Sequence, residues 1–234
     1  MIKNNCTKCN GTGWIIKIQN DVDVAIPCEC RNEENEIIKG EHANIPKRFL
    51  ASKLEYAFTP DKRNHSQIMA KKIVQKFVND YPAIEKGLLL QGSVGLGKTS
   101  LLCGIGTELI KKNFSIYYID WNDLTRIMGS GEDAGSRNYG KITQLMNKLA
   151  TIELLLFDEL GASKISPWVY DNIYYLINRR YNNKLITIFA TNFFDSVSDN
   201  RDSLTDRVGD RIRSRLYEMT DIIKLDGTDY RHKV

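Results

Sequence analysis

Gly92-Ser93-Val94-Gly95-Leu96-Gly97-Lys98-Thr99-Ser100 (GSVGLGKTS) sets three glycines and a lysine directly behind the apolar run Gly87-Leu88-Leu89-Leu90. From Gly92 to Thr99 it meets the spacing Gly-x-x-x-x-Gly-Lys-Ser/Thr, in which successive backbone N–H groups curl around phosphate oxygens that larger side chains would exclude. Lys98 would bring a positive charge to the β- and γ-phosphates, Thr99 a hydroxyl to Mg2+, and the following helix its positive dipole end. A glycine-rich turn that binds nothing is the alternative. The strand expected before the motif and the helix expected after it argue against that, because a phosphate loop joins those two elements.

The same alternation runs through the rest of the chain. Apolar runs at 88–90, 115–119, 154–157, 185–190 and 222–225 read as strands, and 99–111, 121–128, 139–150, 167–182 and 203–218 as helices. Ser166 and Pro167 supply an N-cap and a first-turn proline for the fourth of these helices. The pattern predicts an α/β fold, a parallel five-stranded sheet flanked by helices, with the ligand site at the carboxyl ends of the strands. The polar, glycine-rich stretch 129–138 (GSGEDAGSRN) is the most loop-like internal segment.

Two carboxylates end one of the expected strands, in Leu154-Leu155-Leu156-Phe157-Asp158-Glu159. Beside a bound triphosphate, Asp158 could hold Mg2+ and Glu159 polarise a water for attack on the γ-phosphate. A solvated strand end is the bland reading, and it weakens once a phosphate loop is accepted upstream. The strand at 185–190 runs into Thr191-Asn192, and the Asn192 amide could orient the water or hold the γ-phosphate. Further on, Arg211 and Arg215 stand four apart on one helix face. They could stabilise transferring phosphoryl charge from a neighbouring subunit, or simply form a basic surface face.

Composition bounds these readings without choosing among them. A chain of 234 residues, 42% hydrophobic, holds one substantial core and a small appendage. A net charge of +4 permits nucleic-acid contact but does not require it. No stretch approaches eighteen unbroken apolar residues and the N-terminus has no apolar signal segment, so a cytoplasmic protein with no membrane partner is expected. In that reducing compartment cysteines are better read as metal ligands or core thiols than as disulfides. Cys6-x-x-Cys9, followed by Asn10-Gly11, has the shape of a zinc knuckle, and Cys28-x-Cys30 offers a second pair. Together they would make a closed structural Zn2+ site. Four reduced cysteines without metal are the alternative, since the second pair is one residue tighter than the commonest spacing. The composition shift near Gly40 divides the chain into a zinc-binding module, 1–40, and the α/β domain, 41–234.

The succession of phosphate loop, LLLFDELG, the SPW-initiated helix ending in INRRY, IFATN, DRIRSRL and GTDYR resembles the AAA+ ATPases of the DnaC/DnaI type, the replicative helicase loaders. It is also similar to the IstB-type transposase helper ATPases. The resemblance covers 45–231. It implies a P-loop AAA+ core that hydrolyses ATP with Mg2+, with Gly92 to Ser100 binding ATP, Thr99 and Asp158 holding Mg2+, and Glu159, Asn192 and Arg211 catalytic. Arg215 would be the second arginine of that helix, and Ile45-Pro46-Lys47-Arg48-Phe49 would border the base. Arg231 is the candidate second sensor, although the few residues after Leu225 cannot form the C-terminal helical lid that carries it in full AAA+ proteins. The implied function is an ATP-dependent loader in DNA replication that binds single-stranded DNA, delivers a hexameric replicative DNA helicase and self-associates through shared nucleotide sites. Its N-terminal module would contact the helicase. A transposition helper and a nucleotide-switched adaptor with incidental hydrolysis are the rival readings. Trp121, Arg126, Arg137, Tyr139 and Lys141 could stack on and track a single strand, but Trp121 could equally cover the sheet edge.

Overall fold

The computed structural model describes residues 6–19, 22–50, 54–57, 64–129, 138–195 and 202–229. It opens with a hairpin, β1 (Trp14–Gln19) and β2 (Val22–Pro27), followed by α1 (Glu29–His42), a short 3-10 turn and the four-residue helix α2 (Leu54–Ala57). Then come α3 (His65–Asp80), β3 (Gly87–Gly92), α4 (Lys98–Lys111), β4 (Ile116–Asp120), α5 (Trp121–Gly129), α6 (Tyr139–Thr151) and β5 (Leu154–Asp158). The chain continues through α7 (Pro167–Asn182), β6 (Thr187–Thr191), α8 (Leu204–Met219) and β7 (Thr220–Leu225). The hairpin, α1 and α3 were not anticipated from the sequence.

The main sheet has five parallel strands in the order β4-β5-β6-β3-β7. Because side chains alternate across a strand, each strand feeds two cores. Leu88, Leu90, Leu154, Leu156, Ile188 and Ala190 pack beneath α3 and α4. Leu89, Leu155, Phe157 and Phe189 pack on the other face with residues of α5, α6, α7 and α8. Burial on both faces explains why the strands read as unbroken apolar runs rather than as alternating ones. Parallel strands end together, so the register that pairs Asp120 with Asp158 and Gln91 with Thr191 gathers their last residues along one edge.

Beyond Gly40 helix α1 continues unbroken to His42, and the next residues close the sheet. Tyr118 N donates to Ala43 O (2.8 Å) and Asn44 Nδ2 donates to Tyr118 O (3.0 Å), which occupies part of the exposed edge of β4. Arg180, fully buried, spans the opposite end of the sheet, donating to the carbonyls of Leu149, Ile152 and Ile186 and to Thr187 Oγ1. Those bonds satisfy loop carbonyls that would otherwise be buried without partners. The region read as one helix from Ser203 is broken at Gly209, whose φ of +73° and ψ of 160° are open essentially to glycine alone.

Candidate active site

The loop after β3 turns through two left-handed glycines, Gly95 (φ +79°) and Gly97 (φ +82°), and Gly97 opens α4. This is the conformation the glycines were expected to permit. Gly92 belongs to the strand, where a side chain would collide with the Leu225 carbonyl of neighbouring β7. Leu96 points into the core and anchors the loop, while Ser93 is exposed. The remaining loop residues, Val94, Gly95, Gly97, Lys98, Thr99 and Ser100, line a cleft of about 360 Å3 together with Arg48, Phe49, Asp158, Glu159 and Asn192. The cleft therefore unites the residues singled out on β3, β5 and β6. Lys98 is buried and its Nζ donates to Gly92 O and Ser93 O, both at 2.7 Å. Arg48 and Phe49 line the same cleft, with the Arg48 guanidinium carbon 4.5 Å from the Phe49 ring centre.

Asp158 is buried at the tip of β5 with both oxygens engaged. Tyr118 Oη donates to Oδ2 and Glu159 N to Oδ1, each at 2.9 Å. Burial, and then the Asp158 charge, push the Tyr118 phenol well above its ordinary pKa, so it stays a donor. Glu159 occupies the left-handed region (φ +51°), and Asn122 Nδ2 donates to its Oε2 at 3.1 Å. Burial first, and then the charges of Asp120 and Asp158, raise the Glu159 pKa. Asp120, also raised by burial, caps α5 by accepting from the N–H groups of Asn122 (2.8 Å) and Asp123 (3.2 Å). A hydroxyl from Thr99 and a carboxylate from Asp158 on one cleft form a hard oxygen donor set suited to Mg2+.

Asn192 follows β6, which lies between β5 and β3, and its half-buried side chain lines the cleft. Its loop is fixed by Gln91 Nε2 donating to Phe193 O (3.0 Å) and Phe193 N donating to Thr191 Oγ1 (3.2 Å). Arg211 lies outside the cleft. It is exposed, just past the Gly209 kink, with its guanidinium carbon 5.7 Å from the Tyr174 ring centre. Arg215 shares its face but is tied to Asn178 and Glu218 and stacked on Tyr181.

Three further side chains shape the site without any mark in the sequence pattern. Asn122 and Tyr118 hold the two acids, and Arg207 fastens the loop behind them by donating to Gly161 O and Ala162 O, both at 2.7 Å. Their roles depend on partners at least 37 positions away. Trp121 is fully buried, stacked on Phe157 and bonded to Ser163 O (3.1 Å), so it covers the sheet and is not available to a nucleic-acid base. Tyr139 and Lys141 are exposed, Arg126 pairs with Asp123, and Arg137 and Arg231 lie outside the described residues.

At the N-terminus the sulfurs of Cys6, Cys9, Cys28 and Cys30 lie within 4.8 Å of one another. Cys6 and Cys28 are 3.8 Å apart and Cys9 and Cys30 3.6 Å. Tetrahedral zinc with bonds of about 2.3 Å requires sulfur separations of about 3.8 Å, so the cluster fits that ion. Gly13 N donates to Cys9 Sγ (3.3 Å), a bond that favours the thiolate a metal needs. Among the described residues no helix is long and apolar enough to cross a membrane.

Comparison with known proteins agrees with this geometry. The family described as IstB-like ATP binding protein matches residues 32–234. The replicative helicase loader DnaI of Bacillus subtilis (strain 168) is 27% identical over 154 residues, 63% of this chain and 48% of DnaI, so the chain spans about half of that relative's length. The ATP-binding protein of insertion sequence IS5376 from Geobacillus stearothermophilus is 24% identical over 206 residues, 85% of this chain and 77% of that protein. Among solved structures, the crystal structure of the DnaC helicase loader matches with a TM-score of 0.64 at 30% identity, covering 77% of this chain and 100% of that one. The fold is thus the AAA+ fold of DnaC and DnaI.

Proposed function

The chain belongs to the IstB-like ATP-binding proteins, and on that footing we propose that it is an ATP-dependent loader delivering a hexameric replicative DNA helicase to single-stranded DNA. The observation that carries this reading is the joining of a triphosphate cleft to a cysteine module with an uncovered apolar face. On the hairpin, Trp14, Ile16 and Ile18 form one exposed row, Ile16 and Ile18 being 68% and 74% accessible. An apolar row on so small a module is suited to a protein partner. We assign residues 1–40 to helicase capture, with Zn2+ on the four cysteines, and 41–234 to ATP hydrolysis in the cytoplasm.

In the reaction, Lys98 and Asn192 hold the γ-phosphate, and Glu159 orients the attacking water and accepts its proton. Asp158 and Thr99 hold Mg2+, which when bound neutralises charge on the phosphates. Tyr118 donates to Asp158 and fixes its carboxylate at the cleft. Arg211 is exposed and apart from its own cleft, which suits a group offered to the cleft of a neighbouring copy. Self-association would then complete each site.

A second reading, a transposition helper, is favoured by the larger share of both chains that the insertion-sequence protein covers. Size-exclusion chromatography with mass detection separates the two, run on the replicative helicase with and without this protein, ATP and Mg2+. A stable helicase complex, weakened by replacing the four cysteines, is the expected result. No complex under any nucleotide condition, with retention of the transposase instead, would overturn the loader reading.

A further inference from the structure

Each arginine of α8 lies over an aromatic ring. The guanidinium carbon of Arg207 is 4.9 Å from the Phe193 ring centre, that of Arg213 is 4.9 Å from Tyr217 and that of Arg215 is 4.3 Å from Tyr181. Those three also donate hydrogen bonds, Arg207 to the Gly161 and Ala162 carbonyls, Arg213 to Asp195 and Arg215 to Asn178. Arg211 is held differently. Its guanidinium carbon is 5.7 Å from the Tyr174 ring centre, within cation–π range, and among the described residues it makes no ion pair.

The backbone sets Arg211 in this place. Gly209 (φ +73°, ψ 160°) breaks α8, and the Tyr170 hydroxyl stands 2.8 Å from where a Cβ on Gly209 would be, so the helix restarts with Arg211 in its first turn. A cation in a first turn meets the positive end of the helix, and the dipole works against it there. A carboxylate partner would offset that field but would also occupy the N–H donors that a phosphate needs. An aromatic ring attracts a guanidinium without using any of them. Tyr170 and Tyr174 stand four apart on α7, so the side chain at the kink and the ring under the arginine share one helix face. Resting on the reading of Arg211 as the group offered to a neighbouring copy's cleft, we propose that Tyr174 is its positioning residue. The ring holds the guanidinium in place with its donors uncommitted, so less of its motion is lost when the copies meet. Tyr174 thereby acts on the turnover of the neighbouring copy rather than on that of its own.

The test is nucleotide binding and steady-state ATP turnover by the full chain, comparing wild type, Tyr174→Leu, Tyr174→Phe and Arg211→Ala, singly and in mixtures. Tyr174→Leu keeps an apolar side chain on the core and should bind ATP as the wild type does while turning it over about tenfold more slowly, the size of a partly desolvated cation–π contact. Tyr174→Phe keeps the ring and should restore the rate. In an Arg211→Ala background Tyr174→Leu should change nothing further. Two mixtures assign the defect to the copy that supplies the arginine. Excess Lys98→Ala protein, which keeps Tyr174 and Arg211 but lacks the phosphate-loop lysine, should raise the turnover of Tyr174→Leu toward the wild-type rate. A chain carrying both Lys98→Ala and Tyr174→Leu should rescue Arg211→Ala about tenfold less well than Lys98→Ala alone does. A ring needed only for the packing of its own copy would give the reverse, poor rescue in the first mixture and full rescue in the second. That reverse pattern, full turnover by Tyr174→Leu, or a Tyr174→Phe as slow as Tyr174→Leu overturns the proposal. Turnover indifferent to Arg211→Ala would instead sink the underlying reading of a shared site.

Discussion

Glu159 combines three features suited to activating water. It ends the β5 segment, it holds a backbone conformation that costs a non-glycine residue about 1 kcal/mol or more, and it lies beside two other carboxylates. The surrounding bonds sustain that conformation: Leu160 N donates to Ala190 O (2.8 Å) and Ala162 N to Glu159 O (2.9 Å). Burial and the charges of Asp120 and Asp158 raise its pKa above the ordinary 4.5. A group that must be ionised to accept a proton loses function as pH falls through its pKa, so the acidic limb of the turnover profile should lie above 4.5. Asp120→Asn keeps the oxygen that caps α5 but removes one like charge, and should move that limb to lower pH. An unmoved limb would exclude Asp120 as its cause. Glu159→Gln should bind nucleotide and lose turnover altogether. Both acids were legible in the sequence because they sit at the end of an apolar run. The Asn122 amide that holds Glu159 was not, because an asparagine in a helical segment carries no mark of its partner.

The cysteine module depends on its four sulfurs more than on a core of its own. Among the described residues its buried cluster consists of Cys9, Cys28 and Cys30, with Cys6 and Ile15 packed against it. So small a core offers a hairpin little stability of its own, and zinc on the four sulfurs, as proposed, would supply it. The far end of α1 is secured differently, by Lys39 Nζ donating to Asn113 Oδ1 (2.7 Å) and Ile45 N to Gly40 O (3.0 Å). Zinc chelation should therefore expose the amides of β1 and β2 to hydrogen exchange while the C-terminal turn of α1 and strands β3 to β7 keep their protection. Hairpin protection that survives complete metal removal would contradict a structural zinc site. The helix carrying Arg211 shows the complementary limit of pattern reading. Its apolar spacing runs past Gly209, yet the chain kinks there, at a position that only glycine fills: its φ is +73°, and a Cβ would meet the Tyr170 hydroxyl of α7 at 2.8 Å.

On the proposed function, assembly is the level at which Arg211 would acquire its role. Arg207, Arg213 and Arg215 are all committed within the chain, to the Gly161 and Ala162 carbonyls, to Asp195, and to Asn178 and Glu218 respectively. Arg211 lies over the Tyr174 ring and within electrostatic reach of the Tyr170 phenol, and among the described residues it makes no ion pair. Arg211→Ala should leave ATP binding intact, lower turnover by about a thousandfold and abolish its rise with protein concentration. Mixing Arg211→Ala with Lys98→Ala should restore part of the activity, since one copy keeps the phosphate loop and the other the arginine. No recovery in the mixture would contradict a site shared between copies.

The fold class, the phosphate loop, the strand-end acids and the pairing of cysteines were all written in short stretches of sequence. Each depends on local chemistry: glycines where a backbone must curl, apolar runs where a strand is buried on both faces, thiols at ligand spacing. The tertiary structure alone decided that Trp121 is core, that Asn122 and Tyr118 hold the acids, that α8 breaks at Gly209, and that Asp229 lies on Gly95. These are relations between residues as many as 134 positions apart, by the numbers of Gly95 and Asp229. They arise because parallel strands bring distant segments to one edge of the sheet, and no periodicity along the chain records which side chains will meet there.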